Sequence, residues 1–168
     1  MNKQTYKKIM TYLEERRGLT KALVGIERGI EAAVIIAFAL FIIYTVYTSA
    51  GYALLSAATC LVALYVCTVL RMVLNRPRPY EVYDCLPAMH KDTKSKSFPS
   101  RHLTSIAVIS VCLFKINPLL GIPFILLTFV MGFLRVFLGV HFIKDVTVGA
   151  AIGFAFGIVG MYLVPCLF

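Results

Sequence analysis

The sequence is poor in charge. Of its 168 residues, 17 are Lys or Arg and eight are Asp or Glu, 15% together, where an ordinary globular domain carries ~25%. From Ala32 to Leu70 there is no charged residue, and none again in His102–Phe114, Ile116–Leu134 or Val146–Phe168. A soluble chain this short has too much surface for its volume to hide such stretches from water. A soluble fold is excluded. The sequence also lacks any CxxC pair, which argues against a zinc or redox motif. Cys60, Cys67, Cys112 and Cys166 sit in apolar runs, where cysteine behaves as a small hydrophobe, and Cys85 alone falls in a polar stretch. No secretory signal is expected either, because Ile9–Leu13 is too broken to form its apolar core.

What is present in quantity is apolar sequence, 60% hydrophobic residues with a mean hydropathy of +0.83. The chain reads as an all-α polytopic membrane bundle. A bilayer core of ~30 Å needs about 20 helical residues per crossing, and five spans are expected. They run from about Ile30 to Thr48, Tyr52 to Leu74, Ser100 to Lys115, Pro118 to Phe137 and Asp145 to Pro165. The cluster Thr48-Ser49-Ala50-Gly51 and the pair Asn117-Pro118 supply reversals. Residues 75–99, with Pro77, Pro79, Pro87, Pro99 and many charges, read as an exposed loop in which His90 is solvated. Gly149, Gly153 and Gly157, with Gly160 close by, suggest one face for tight helix contact. Residues 1–24 are too charged to cross. Tyr6, Ile9, Met10 and Leu13 form an apolar stripe among lysines and arginines, so an interfacial amphipathic helix is expected over 1–24 and the transmembrane domain over 25–168.

Ionisable groups at span ends carry the information, because hydrocarbon penalises them. They form three clusters. Arg71, Asn75, Arg76, Pro77, Arg78 and Pro79 close the second span. Phe98-Pro99-Ser100-Arg101-His102 opens the third. Arg135 closes the fourth, and His141 and Asp145 lead into the fifth. The parity of the crossings puts all three on one side of the membrane. Guanidinium forks match phosphate oxygens, and several together hold a dianion. Ser100 is placed as the N-cap of the third span, whose free N–H groups and dipole favour an anion. His141 and Asp145 are four apart, within reach on a helical turn. A carboxylate on one ring nitrogen leaves the other available as nucleophile or base.

Arg71-x6-Arg78-Pro79, Pro99-Ser100-Arg101-His102 and Leu134-Arg135-x5-His141-x3-Asp145 resemble the three signature motifs of the type 2 phosphatidic acid phosphatase (PAP2) superfamily, KxxxxxxRP, PSGH and SRxxxxxHxxxD. Order, helix-end position and internal spacing all agree, over about residues 52–165. The resemblance implies a helical membrane bundle that dephosphorylates lipid phosphates or diphosphates with no metal and no cofactor. It implies His141 as nucleophile, Asp145 as its orienting partner and His102 as the acid that protonates the departing lipid oxygen. Arg71, Arg78, Ser100 and Arg135 would hold phosphate oxygens. Of the eight acidic residues only Asp145 lies in the motifs, in keeping with a metal-free site. Three positions depart from the pattern: Arg71 stands for lysine, Leu134 for serine and Arg101 for glycine. Arg101 is expected to engage a second phosphate or a headgroup anion. The family commonly has six spans, one more than expected here. The expected partners are a lipid phosphate substrate and membrane lipids, with no nucleic acid. Phosphatidic acid, phosphatidylglycerol phosphate and polyprenyl phosphates or diphosphates stay open as substrates. The alternative from another class is a non-catalytic scaffold that binds anionic lipids; His102, His141 and Asp145 argue against it, since binding needs no nucleophile.

Sixteen of the 17 Lys and Arg residues fall on the side that carries the N-terminus and the three clusters, leaving Lys115 alone opposite. The positive-inside rule puts that side in the cytoplasm. Cys85 is the one cysteine in the polar loop. In a Cys166→Ser background, an impermeant maleimide is expected to label Cys85 only after cells are opened, and labelling of intact cells reverses the assignment.

Overall fold

A computed structural model describes residues 2–89 and 93–166; His90, read above as a solvated loop residue, lies outside them. Seven α-helices follow in order: α1 (Lys3–Glu15), α2 (Arg17–Thr48), α3 (Ala50–Leu74), α4 (Pro79–Tyr83), α5 (Arg101–Ile116), α6 (Pro118–Phe137) and α7 (Ile143–Ile158). A π-helical segment (Val159–Leu163) and a 3-10 turn (Val164–Cys166) continue α7. Among the described residues there is no strand. The all-helical membrane bundle expected from the sequence is the observed fold.

Local chemistry places the helix ends. Asn75 adopts the left-handed conformation (φ 38°) that stops α3, and Pro77 and Pro79 keep the chain from resuming it. The Asn117 side chain accepts from the Leu119 N–H at 2.9 Å, with Pro118 in the first turn of α6, so the expected reversal there is a capped helix start. The α1 to α2 joint falls at Arg16, and α2 is 32 residues long. At 1.5 Å per residue such a helix measures roughly 48 Å, well beyond the bilayer core, so its first turns project past the membrane on the α1 side.

Among the described residues four segments are long and apolar enough to cross a membrane: Arg17–Thr48, Ala50–Tyr83, Pro118–Phe137 and Ile143–Leu163. The fifth expected span, α5, is 16 residues long and lies at the centre of the bundle. Leu103, Thr104 and Ile106 through Leu113 are all buried, and α5 packs against α2, α3, α6 and α7. Its apolar composition reflects burial in protein rather than in lipid. Ile35, Leu40, Leu54, Leu61, Phe129 and Phe133 on the surrounding helices are exposed, as a lipid-facing surface requires.

The glycine face of α7 does what its spacing suggests. A Cβ on Gly149 would lie 2.5 Å from the Ser100 carbonyl oxygen, and one on Gly157 would lie 2.7 Å from Val111 Cβ. At Gly153 it would meet the Thr104 carbonyl and Ala107, so hydrogen at these positions is what lets α7 lie against α5. Thr104 Oγ1 donates to the Gly149 carbonyl at 2.9 Å across that contact. On α1, the stripe residues Tyr6, Met10 and Leu13 are buried against the protein itself, among Tyr80, Tyr83, Cys85 and Phe137. Tyr6 Oη donates to the Gly139 carbonyl at 3.1 Å. Gly139 has φ +80°, and a Cβ there would sit 2.7 Å from Met10 Sδ, so the turn after α6 requires glycine twice over.

Gly153→Val is expected to destabilise the protein by ~1–3 kcal/mol through overpacking, read as a lower thermal midpoint in detergent. Gly25→Ala, at an exposed position in α2 with nothing within 4 Å, is expected to be neutral or to gain up to ~1 kcal/mol of helix propensity.

Candidate active site

The three sequence clusters meet at one end of the bundle. Arg71, on the last turn of α3, is buried and donates from Nη1 to the Pro99 carbonyl at 3.0 Å, which ties α3 to the start of α5. Arg78 opens α4; its Nε donates to the Ser95 carbonyl at 3.2 Å and its Nη1 to the Val140 carbonyl at 3.4 Å. One guanidinium thus links the loop before α5 to the turn before α7. Glu81 reinforces it, accepting from the backbone N–H of Arg78 at 2.7 Å and of Ser95 at 2.8 Å. At the end of α6 the Arg135 carbonyl accepts from the N–H groups of Val140 and His141, folding His141 back beneath the helix terminus. Ser100 does occupy the N-cap position of α5, although its hydroxyl makes no cap hydrogen bond. Its backbone N–H instead donates to the Asp145 carbonyl at 2.9 Å, joining the second cluster to the third.

His141 and Asp145 are paired as their spacing predicts. His141 Nδ1 lies 3.5 Å from Asp145 Oδ2, with both side chains buried. The same carboxylate oxygen accepts from the Phe142 N–H at 3.0 Å and from the Ser97 hydroxyl, and Ser97 Oγ is 3.4 Å from His141 Nδ1. These contacts hold the ring by Nδ1 and leave Nε2 for chemistry. Burial pushes the His141 pKa down to about 4; the nearby Arg78 charge acts in the same direction, and the hydrogen bond to Asp145 pulls against both. The imidazole is therefore neutral at physiological pH, the form a nucleophile needs.

A cavity of about 330 Å³ opens beside this ring, lined by Arg71, Arg78, Thr93, Lys94, Ser95, Lys96, Arg101, His102 and His141. Five of those side chains are cationic and none is acidic, which suits a phosphate with more than one anionic group. Among the described residues no three His, Cys, Asp or Glu side chains come together as a metal site. Residues 75–99 are thus more than the exposed loop expected. Residues 93–96 wall the cavity, and Ser97 is fully buried against the His–Asp pair. Hydrogen bonds to Arg78 and Glu81 draw the loop inward, an effect that composition does not reveal.

The candidate residues divide. Arg71, Arg78, Arg101, His102 and His141 line the cavity, whereas Asp145, Ser100 and Arg135 lie behind it. Arg135 is 1% exposed and forms an ion pair with Glu27, itself fully buried, while Glu31 lies 3.7 Å from the same guanidinium nitrogen. Glu31 also reaches His102, with Oε1 3.1 Å from Nε2. The reading by motif missed Glu27, Glu31 and Ser97. The two glutamates did leave a signal, an acidic i, i+4 pair just before a long uncharged run on a strongly basic flank. Ser97 left none, since its partners are 44 and 48 residues away.

The depressed His141 pKa has a measurable consequence. Between pH 6.5 and about 4 the unfolded chain binds a proton at this position that the folded protein does not. His141 therefore costs stability as pH falls through that window, and none of the cost is present above it. In thermal unfolding at pH 7 and pH 5, His141→Asn is expected to remove a pH-dependent loss on the order of 1–3 kcal/mol. An unchanged pH dependence would contradict the buried neutral ring.

The family model of the PAP2 superfamily matches residues 47–167. Solved structures share the fold. LpxE of Aquifex aeolicus superposes with a TM-score of 0.70 at 22% identity, over 84% of this chain and 84% of that one. A transmembrane PAP2 type phosphatidylglycerolphosphate phosphatase from Bacillus subtilis gives 0.69 at 23% identity, over 98% of this chain and 87% of that one. No curated protein sequence matches. The family match spans well over half of the sequence and takes in all three clusters, while α1 and nearly all of α2, with Glu27 and Glu31, precede it. The chain belongs to the PAP2 superfamily.

Proposed function

We propose that this protein is a membrane lipid phosphatase that hydrolyses a lipid phosphomonoester or diphosphate without a metal, through a phosphohistidine. The observation that carries the reading is the convergence of His141, His102 and three arginines on one cavity at a helix-bundle end, with no acid among its described lining residues. In the first step His141 Nε2 attacks the terminal phosphorus, its bond to the leaving oxygen (the lipid oxygen of a monoester, the bridging oxygen of a diphosphate) breaks, and His102 gives that oxygen a proton. In the second, water attacks the phosphohistidine, His102 takes the proton back, and phosphate leaves. Asp145 and Ser97 orient the nucleophile, and the Asp145 carboxylate offsets the charge it acquires. Arg71, Arg78 and Arg101 neutralise the phosphate, which is most of what phosphoryl transfer asks of a protein. Arg135 and Ser100 act from behind the cavity wall, the first through Glu27 and Glu31 and the second through its N–H on Asp145.

Substrates with a second phosphorus fit the site best. Arg101 stands where the family motif has glycine, and Lys94 and Lys96 share its cavity. Phosphatidylglycerol phosphate and polyprenyl diphosphates carry such a group, and phosphatidic acid does not. The Lys and Arg asymmetry supports a cytoplasmic site, and the covered apolar stripe of α1 supports a first helix lying over that site at the membrane surface.

The test is phosphate release by purified protein from phosphatidic acid, phosphatidylglycerol phosphate and undecaprenyl diphosphate in excess EDTA. Activity is expected to persist in chelator and to fall at least ~10³-fold in His141→Ala. Arg101→Gly is expected to lose more on the two substrates with a second phosphorus than on phosphatidic acid. Turnover that needs added metal, or that survives His141→Ala, overturns the mechanism.

A further inference from the structure

The proposed mechanism gives His102 two proton transfers, yet the family motif gives it no carboxylate of its own. His141 has Asp145 at 3.5 Å; His102 has Glu31, with Oε1 at 3.1 Å from Nε2. Glu31 comes from α2, ahead of the matched family region, and is the nearer of the two carboxylates to its histidine. It is anchored from behind. Its other oxygen, Oε2, lies 3.7 Å from Arg135 Nη2, and that nitrogen is ion-paired with the fully buried Glu27 one helical turn earlier. Glu27 and Glu31 sit on one face of α2, so Arg135 is clasped by both and holds the second in register with the ring.

We propose that Glu31 is the positioning residue for His102 in proton transfer to and from the substrate oxygen, within the mechanism proposed above. A carboxylate on one ring nitrogen fixes the plane of the imidazole, and its negative charge offsets the positive charge the ring carries whenever it holds a second proton. The charged or titratable groups that line the cavity with His102, among the described residues, are Arg101 on its own helix, Arg71 and Arg78 from the α3 end, Lys94 and Lys96 from the loop, and His141 across the cavity. Glu31 sets a negative charge against the ring, and it gives the structure two matched histidine–carboxylate pairs, one for the nucleophile and one for the acid. Arg135, read from its motif as a phosphate ligand, has the structural task of holding that second pair.

Leaving-group dependence tests this, because only a poor leaving group needs a proton. Two detergent-soluble substrates are compared, decyl phosphate, which departs as an alkoxide, and a decyl-substituted nitrophenyl phosphate, which departs as a stabilised phenolate. His102→Ala is expected to lower kcat on the alkyl ester by ~10²–10⁴-fold and on the aryl ester far less. Glu31→Gln is expected to follow the same pattern at about 10–100-fold, with KM little changed, and Glu31→Asp to recover part of the alkyl activity. If His102→Ala affects both esters equally, the assignment of His102 as the acid fails and this inference fails with it. If His102→Ala discriminates but Glu31→Gln lowers both esters equally, leaves both unchanged or raises activity, the assignment of His102 stands and Glu31 is not its positioning residue.

Discussion

The contact between α5 and α7 is the constraint on which the site depends. Glycines at 149, 153 and 157 bring the two helices close enough for the Ser100 N–H to reach the Asp145 carbonyl and the Thr104 hydroxyl to reach the Gly149 carbonyl. His102 stands two residues after Ser100, and His141 is held by the side chain of Asp145. One backbone hydrogen bond therefore sets the spacing of the proposed acid and the proposed nucleophile. In lipid there is no hydrophobic force to press helices together, so close packing and such cross-helix hydrogen bonds must hold them.

Around that axis the protein buries charge, and it does so in pairs. Arg135 and Glu27 are both almost inaccessible, an arrangement in which removing one partner costs ~3–5 kcal/mol because the other is left uncompensated. The cavity side of the same layer is different. There Arg71, Arg78 and Arg101 face one another with no acid among them, and their mutual repulsion is tolerated where a polyanion is the expected occupant. Charge neutralised behind the wall and left unneutralised in front of it separates the framework of the site from its binding surface. Burial, with the Arg78 charge nearby, also keeps His141 neutral, its pKa pushed down to about 4, so the proposed nucleophile does not first have to lose a proton.

Much of this was legible in the residues. The uncharged runs gave the spans, Asn75 and Asn117-Pro118 gave two of the helix ends, and the three motif clusters gave Arg71, Arg78, Arg101, His102 and His141 as a group. What went unread lies where a side chain's partner is distant in sequence. Residues 93–97 look like solvated loop because their fate turns on hydrogen bonds to Arg78, Glu81 and Asp145. Glu27 and Glu31 straddle the expected start of the first span near Ile30 and belong to no motif, whereas α2 starts at Arg17 and carries both glutamates to the level of Arg135.

Sequence alone determined that the chain is a membrane helix bundle with its ionisable groups gathered at one end. The reason is thermodynamic and local: an uncharged stretch of helical length has to be kept from water, by lipid or by other helices, and charges collect at its ends. Tertiary structure alone decided which of those charges face the cavity and which face each other. Arg101 and Arg135 look alike in the sequence, both basic and both at a helix end; one lines the cavity and the other is clasped by two glutamates from α2. A guanidinium takes whichever partner packing brings within reach, and packing between helices is a property of the folded bundle rather than of any one segment.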